Sequence, residues 1–194
     1  MKHPSMQIIF EEHSALSAML RSLSLMVKRG PEPNRDQFFQ VLRAMLFYID
    51  EFPERLHHPK ESLLLFPPVL KRNPELAPVI AQLEQDHVRE EHQARELQHL
   101  LLAWELLGDS RRNAFERAAE AFLQFYLEHM RLEENVVLPQ AQKTLSPEEW
   151  KALDEAFATN CDPLTGKYPP GQDYHGLFSR ITEHAPAPIG LGGN

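Results

Sequence analysis

The chain has 194 residues, a single cysteine (Cys161) and a formal charge of −8. This length suits one domain that can bury a core without covalent help. A lone cysteine excludes an internal disulfide and a thiolate cluster, so any metal would be held by nitrogen and oxygen. The acidic balance works against the attraction to phosphate that drives nucleic-acid binding. No stretch approaches the roughly 20 apolar residues that span a bilayer, and a soluble, cytoplasmic protein without nucleic-acid or membrane partners is expected.

From Pro4 to Lys28, Ile9, Leu16, Met19, Leu20, Leu23, Met26 and Val27 recur at three- and four-residue spacing. That pattern predicts a helix with one buried face, ended by Gly30-Pro31. Asn34 is placed to cap a second helix running through Phe38, Val41, Leu42, Met45 and Ile49 towards Leu70. Pro53 and Pro59 each remove a backbone donor, so a kink or restart is expected between Phe52 and His58. Asn73-Pro74 reads as an N-cap opening a third helix, through Leu83 and His87 to Leu107, with Gly108-Asp109-Ser110 as the turn.

A fourth helix is expected from about Arg112 to Lys143, with Phe115, Ala119, Phe122, Phe125, Tyr126, His129, Glu133 and Val136 on related faces. Ser146-Pro147-Glu148-Glu149 is a capping-box signature that opens a shorter fifth helix through Trp150, Leu153 and Phe157. After Cys161, Asp162-Pro163, Pro169-Pro170-Gly171, Pro186 and Pro188 predict an extended tail, which Tyr174, Leu177, Phe178 and Ile181 could anchor. The expected architecture is all-α: an up-down-up-down four-helix bundle with a short extra C-terminal helix and an extended tail, the bundle at 1–160 and the tail at 161–194. Leu63-Leu64-Leu65 and Leu100-Leu101-Leu102 read as core and inter-helix packing, with any exposed part available to a homodimer.

Within this pattern lies an internal repeat. His57-x-x-x-Glu61, followed by Phe66-Pro67, is matched 72 residues later by His129-x-x-x-Glu133, followed by Leu138-Pro139. Residues four apart share a helix face, so each pair offers an imidazole and a carboxylate to one point. His13 and His87 occupy the other two helices, 74 residues apart, each after an acidic stretch (Glu11-Glu12 and Glu84-Gln85-Asp86). The chain thus reads as two helical hairpins, each carrying His and then His-x-x-x-Glu. Packing one on the other would gather four imidazoles and two carboxylates, the carboxylates placed to bridge two ions.

A single such pair is common on exposed helices; a doubled pair flanked by core residues (Leu63, Phe66, Val136, Leu138) is not, because charged groups are rarely buried without partners. Imidazole and carboxylate without thiolate favour two iron ions, with manganese or zinc as substitutes. The sequence leaves one choice open. Pro59 disturbs the turn after His57, and a local restart would make His58 the ligand at three-residue spacing, although His57 is preferred. His3, His99, His175 and His184 lie outside the repeat and read as surface residues. Glu11, Glu12, Glu84 and Glu134 adjoin the candidates, where a carboxylate could orient a ligating imidazole.

Over roughly Gln7 to Leu145 the doubled His-x-x-x-Glu-x5-Pro pattern resembles the hemerythrin-like (HHE) family, and the Ser146–Trp150 segment resembles those placed after the bundle in bacterial members. The resemblance implies a four-helix bundle with a non-haem di-iron centre held by His13, His57, Glu61, His87, His129 and Glu133, with the glutamates bridging. The third helix departs from the oxygen-carrying members, which have a second histidine four residues on, where this chain has Glu91 and then His92. Glu91, His92 or His58 could supply the missing ligand, or one position could stay open to water, substrate or oxygen. The function expected is binding or sensing of dioxygen or another small diatomic ligand. The rivals are a redox or iron-donating repair enzyme and a metal-stabilised interaction module. Cys161 lies after the bundle with no supporting catalytic histidine motif.

Overall fold

A computed structural model of the chain describes residues 3–31, 33–167 and 174–192. Among these residues the chain is helical and contains no strand. It comprises α1 (Pro4–Arg29), α2 (Arg35–Ile49), α3 (His58–Lys60), α4 (Phe66–Arg72), α5 (Ala77–Leu107), α6 (Arg112–Leu132), α7 (Leu138–Thr144), α8 (Pro147–Phe157) and α9 (His175–His184). Asn34 caps α2 by accepting from the Gln37 backbone N–H, and the Ser146–Glu149 capping box opens α8. Gly30 and Gly108 close α1 and α5 with positive φ of 86° and 88°, a conformation that suits glycine.

Between Ile49 and Phe66 the backbone departs from the expected kink. It stays helical from 35 to 72, with Pro53 inside a wide π-type turn at Asp50–His57 and Pro59 in the short α3 between that turn and a second one at Glu61–Leu65. The second half of the repeat does the same at Glu133–Val137. In both halves the wide turn immediately precedes the Phe66-Pro67 or Leu138-Pro139 step. A proline ring inside a helix collides with the carbonyl four residues back and offers no N–H, and widening the preceding turn relieves both problems. The wider turn also shifts the buried face: Leu65 and Val137 are buried, whereas Leu63 is exposed and Val136 half-buried. A second difference lies at Asn73. Its amide reaches back to the Val69 carbonyl at 2.9 Å instead of capping the next helix, and a short 3-10 turn at Pro74–Leu76 leads into α5.

Two apolar cores result. The larger contains Leu16, Leu23, Met45, Trp104, Phe115 and Tyr126, with Phe38, Phe39 and Phe115 around the fully buried Trp104. The smaller contains Ile9, Phe66, Leu83, Leu138, Trp150 and Phe157. Along every long helical run the boundary between them falls at a candidate residue: His13 lies between Ile9 and Leu16, His57 and Glu61 between Phe52 and Leu65, His87 between Leu83 and Ala94, and His129 and Glu133 between Tyr126 and Val137. A polar layer therefore crosses the bundle between two dry cores.

The segment after α8 folds back onto the bundle. Phe178, Ile181 and Ala185 join the larger core, and the Ile189 backbone N–H donates to Ser22 Oγ at 3.0 Å. Pro169-Pro170-Gly171 lies outside the described residues. Of the leucine runs, Leu65 and Leu101 are buried, while Leu63 and Leu102 face solvent. No helix among the described residues is long and apolar enough to cross a membrane.

Candidate metal centre

The polar layer holds His13, His57, His58, Glu61, His87, Glu90, His129 and Glu133, all buried. Imidazole nitrogens point inward at the two repeat glutamates, and each glutamate divides its oxygens. Glu61 presents Oε1 to His57 Nε2 at 2.9 Å and Oε2 to His87 Nε2 at 3.6 Å. Glu133 presents Oε2 to His13 Nε2 at 3.3 Å and Oε1 to His129 Nε2 at 3.4 Å, with His87 Nε2 at 4.0 Å. Two ligand groups emerge: His13 and His57 with Glu61 and Glu133, and His58, His87 and His129 with Glu61.

Most of these separations exceed a hydrogen bond. They match the span between two neighbouring ligands of one ion, about 3.0–3.5 Å when each bond is near 2.1 Å. Glu61 Oε2, both oxygens of Glu133, His87 Nε2 and His129 Nε2 are buried without a hydrogen-bond partner. Buried polar atoms are almost always satisfied, so a convergent set of orphans marks a place built for something else. Oxygen and imidazole donors grouped this way fit a metal ion.

Around this layer the Nδ1 atoms of His13, His57 and His87 meet hydrogen-bond partners, which fixes the inward direction of their Nε2 atoms. His13 Nδ1 lies 2.9 Å from Glu134 Oε1, and His57 Nδ1 lies 2.6 Å from Glu12 Oε2. His87 Nδ1 lies 3.1 Å from Ser62 Oγ, whose hydroxyl donates to Glu84. Asp86 and Glu90 flank His129 Nδ1 at 3.9 and 3.5 Å.

Electrostatics reflect burial and these pairings. Burial alone would lower His57, but the Glu61 and Glu12 carboxylates overcome it and hold the imidazole well above its ordinary value. Glu133 and Glu134 outweigh burial at His13, and Glu133 with Asp86 does so at His129. His58 goes the other way, pushed well below the usual range by burial and by the nearby His87, His57 and His129 rings. Burial raises Glu54 to about 7 despite the Tyr126 hydroxyl, which donates to it.

All six residues of the repeat reading come together here. His58 joins them: the π-type turns around Pro59 let His57 and His58 both face the layer, so the two are not alternatives in space. Glu91 and His92 do not reach it; both are exposed, and Glu91 pairs with Arg95. Of the adjoining carboxylates, Glu12 and Glu134 meet the imidazoles directly and Glu84 acts through Ser62, whereas Glu11 stays exposed and accepts from Gln7. His3 stacks on Trp150, and His99, His175 and His184 lie away from the layer.

Several neighbours carried signals that the repeat pattern passes over. Glu90 stands three residues after His87 on the same face, Glu54 four before His58, and Tyr126 three before His129. Asn160, whose amide reaches Glu12, had no local signal, because the contact joins residues 148 positions apart. Beside His13, His57 and His58 lies a cavity of about 20 Å³, lined by Leu16, Phe52, Pro53, Leu56, Tyr126 and Met130 and by Tyr48, Asn160 and Asp162. A space of that size holds one water-sized molecule.

Comparison with protein families returns the Hemerythrin HHE cation binding domain, matched over residues 5–141. No curated protein matches the chain. The matched span contains every residue of the polar layer and ends before α8 begins.

Proposed function

The chain belongs to the hemerythrin HHE cation-binding domain family, and from that premise we propose that it is a non-haem di-iron protein that binds or senses dioxygen or a related diatomic ligand. The observation that carries this reading is the division of oxygens: Glu61 and Glu133 each aim one oxygen at the His13–His57 side and the other at the His87–His129 side. Two carboxylates so placed suit two ions rather than one. His13 and His57 would hold one ion and His87 and His129 the other, with His58 as a fifth imidazole on the second side and both glutamates bridging. Imidazole with carboxylate favours iron, and manganese and zinc are the expected substitutes.

When bound, a ferrous pair supplies electrons and open coordination for a diatomic ligand, chemistry that no side chain here provides. The chain's own residues do the rest. Glu12, Glu134 and Ser62 hold the imidazoles of His57, His13 and His87 in their inward tautomer and orientation. His13 and His57 on one side and His58 on the other line the small cavity, so a space sized for a small molecule adjoins the centre. Leu16, Phe52, Leu56 and Met130 keep that space apolar and exclude bulk water.

The test is anaerobic loading with ferrous iron, counting ions per chain, then admission and removal of oxygen while the optical spectrum is recorded. Two ions and a charge-transfer band that develops and reverses support a reversible binder. Two ions with an irreversible ferric spectrum shift the reading to sensing, storage or redox chemistry. No iron uptake overturns it.

A further inference from the structure

The repeat that matches His57 with His129 and Glu61 with Glu133 also matches Glu54 with Tyr126, each three residues before its histidine. These two positions meet inside the bundle. The Tyr126 hydroxyl donates to Glu54 Oε1, and the other oxygen of that carboxylate, Oε2, lies 3.3 Å from His58 Nδ1. The Tyr126 ring stacks on His58 with centroids 6.0 Å apart and lies 6.4 Å from the His129 ring. We propose that Tyr126 is a redox-active residue, a phenol that gives one electron to the iron pair through His58 in the reduction of a peroxide while its proton passes to Glu54. This role rests on the two-iron reading, since the electron needs that acceptor.

Three observations carry it. First, among the described residues Tyr126 is the only phenol or indole in ring contact with a candidate ligand; the other carbocyclic rings there, Phe66 on His87 and Phe157 on His57, are phenyl groups that do not readily give up an electron. Second, a buried tyrosine needs a partner for its hydroxyl, but a backbone carbonyl would meet that need. Here the partner is a carboxylate only 4% exposed, costly to bury and, among the described residues, with no ion-pair partner but His58. A carbonyl accepts a hydrogen bond without taking the proton, whereas a carboxylate takes it, so loss of an electron leaves a neutral phenoxyl instead of a buried cation. Third, Tyr126 is fully buried and lines the small cavity together with His57 and His58, which shields a radical there from bulk water.

Electrons and atoms balance with hydrogen peroxide as the oxidant and a pair that holds one ferrous and one ferric ion. Peroxide takes two electrons, one from Tyr126 and one from the ferrous ion, and its O–O bond breaks. The phenolic O–H bond breaks with it, the proton moving to Glu54 Oε1 and on to water, and a second proton comes from solvent. One phenol, one ferrous ion, one peroxide and one solvent proton thus give one phenoxyl radical, one ferric ion and two waters. Tyr48 also donates to a carboxylate, Asp162 Oδ2 at 2.8 Å, but among the described residues its ring contacts are with Phe52 and Phe178 and not with a candidate ligand, which makes it the internal control.

The experiment loads the full chain with ferrous iron without oxygen, half-oxidises it with ferricyanide, mixes it with hydrogen peroxide and freezes it within milliseconds for electron paramagnetic resonance. The expected result is an organic radical signal that narrows when ring-deuterated tyrosine is incorporated, persists in Tyr48→Phe and disappears in Tyr126→Phe with two ions still bound. In Glu54→Gln it should form about 100-fold more slowly, the usual loss when a positioned proton acceptor is removed. A signal that survives in Tyr126→Phe, or that forms at the unaltered rate in Glu54→Gln, overturns the proposal. So does an unaltered chain that holds two irons and gives no radical, which leaves the two-iron reading intact; no iron uptake overturns both. Peptide mass spectrometry of the unaltered chain after repeated peroxide additions should find a gained oxygen at Tyr126 and not at Tyr48, and the opposite pattern counts against the role even where a variant fails to fold.

Discussion

Asn160 donates from Nδ2 to Glu12 Oε2 at 3.0 Å, and that same oxygen lies 2.6 Å from His57 Nδ1. A residue beyond the family-matched span thereby holds the carboxylate that orients a candidate ligand inside it. The Lys60 ammonium completes the arrangement by donating to Asn160 Oδ1, and Thr159 Oγ1 accepts from the same ammonium at 3.1 Å. Removing such an outer partner costs metal sites about 10–100-fold in affinity. Asn160→Ala should weaken one of the two iron-site ions by that factor, measured by competition against a chelating dye, and leave the other within about threefold. Equal weakening of both ions would point to general loosening instead.

The divided carboxylates make a sharper distinction. His13 belongs to one histidine group, within 3.3 Å of Glu133 and 2.9 Å of Glu134, whereas Glu133 faces both groups. His13→Ala should therefore lose one ion of the pair and Glu133→Ala should lose both, counted after dialysis against ferrous iron without oxygen. Metal loading should also raise the melting temperature, because ligand that binds only the folded chain stabilises it by about 4 kcal/mol at a thousandfold excess over Kd. An unchanged melting temperature on loading, or retention of both ions by Glu133→Ala, would remove the bridging role.

How much of this was legible in the sequence depended on distance along the chain. The repeat of His-x-x-x-Glu-x5-Pro, with the histidines at 13 and 87, brought out six residues because helix geometry turns spacing into a shared face. The same arithmetic set His57 and His58 against each other, since consecutive residues on a regular helix point about 100° apart. The π-type turns around Pro53 and Glu61 break that assumption, and they also move burial from Leu63 and Val136 to Leu65 and Val137. Glu91 drew attention by sitting four after His87, but Glu90, three after it, is the residue turned inward. Asn160 and Asp162 reach the centre only through the path of the chain after α8, which no local pattern encodes.

Asp162 offers a test through pH. It is buried, accepts from the Tyr48 hydroxyl at 2.8 Å and from the Leu164 N–H at 2.8 Å, and faces Glu12 and His57 at longer range. Burial raises its carboxyl to about 6, from an ordinary value of 3.8, more than those donors lower it. Because the folded chain holds this proton more tightly than the unfolded one, the stabilisation is complete below about pH 4 and is lost as pH rises through about 6. The shift corresponds to about 3 kcal/mol, or several degrees in melting temperature. In the presence of a chelator, Asp162→Asn should gain stability relative to the unaltered chain as pH is raised from about 4 to about 7. A difference that stays constant over that range would show that Asp162 is ionised throughout.

The return of the C-terminal segment depends on two close approaches. A Cβ added at Gly190 would lie 2.1 Å from the Ala185 carbonyl oxygen, and one at Gly192 would lie 2.3 Å from that of His184. Both contacts are with backbone, which cannot turn aside as a side chain can. The Leu191 N–H donates to the Thr182 carbonyl at 2.7 Å and the Gly192 N–H to that of Ala185 at 2.9 Å, so the loop is tied down just after Gly190. Relieving the clash means lifting the loop that carries Ile189 away from Ser22 and loosening Phe178, Ile181 and Ala185 in the core. Gly190→Ala should cost about 1–3 kcal/mol, seen as a lower melting temperature and faster proteolysis after Lys167, with the number of bound ions unchanged because the polar layer lies elsewhere. If the melting temperature does not move, the segment is not held against α9 in solution as it is here.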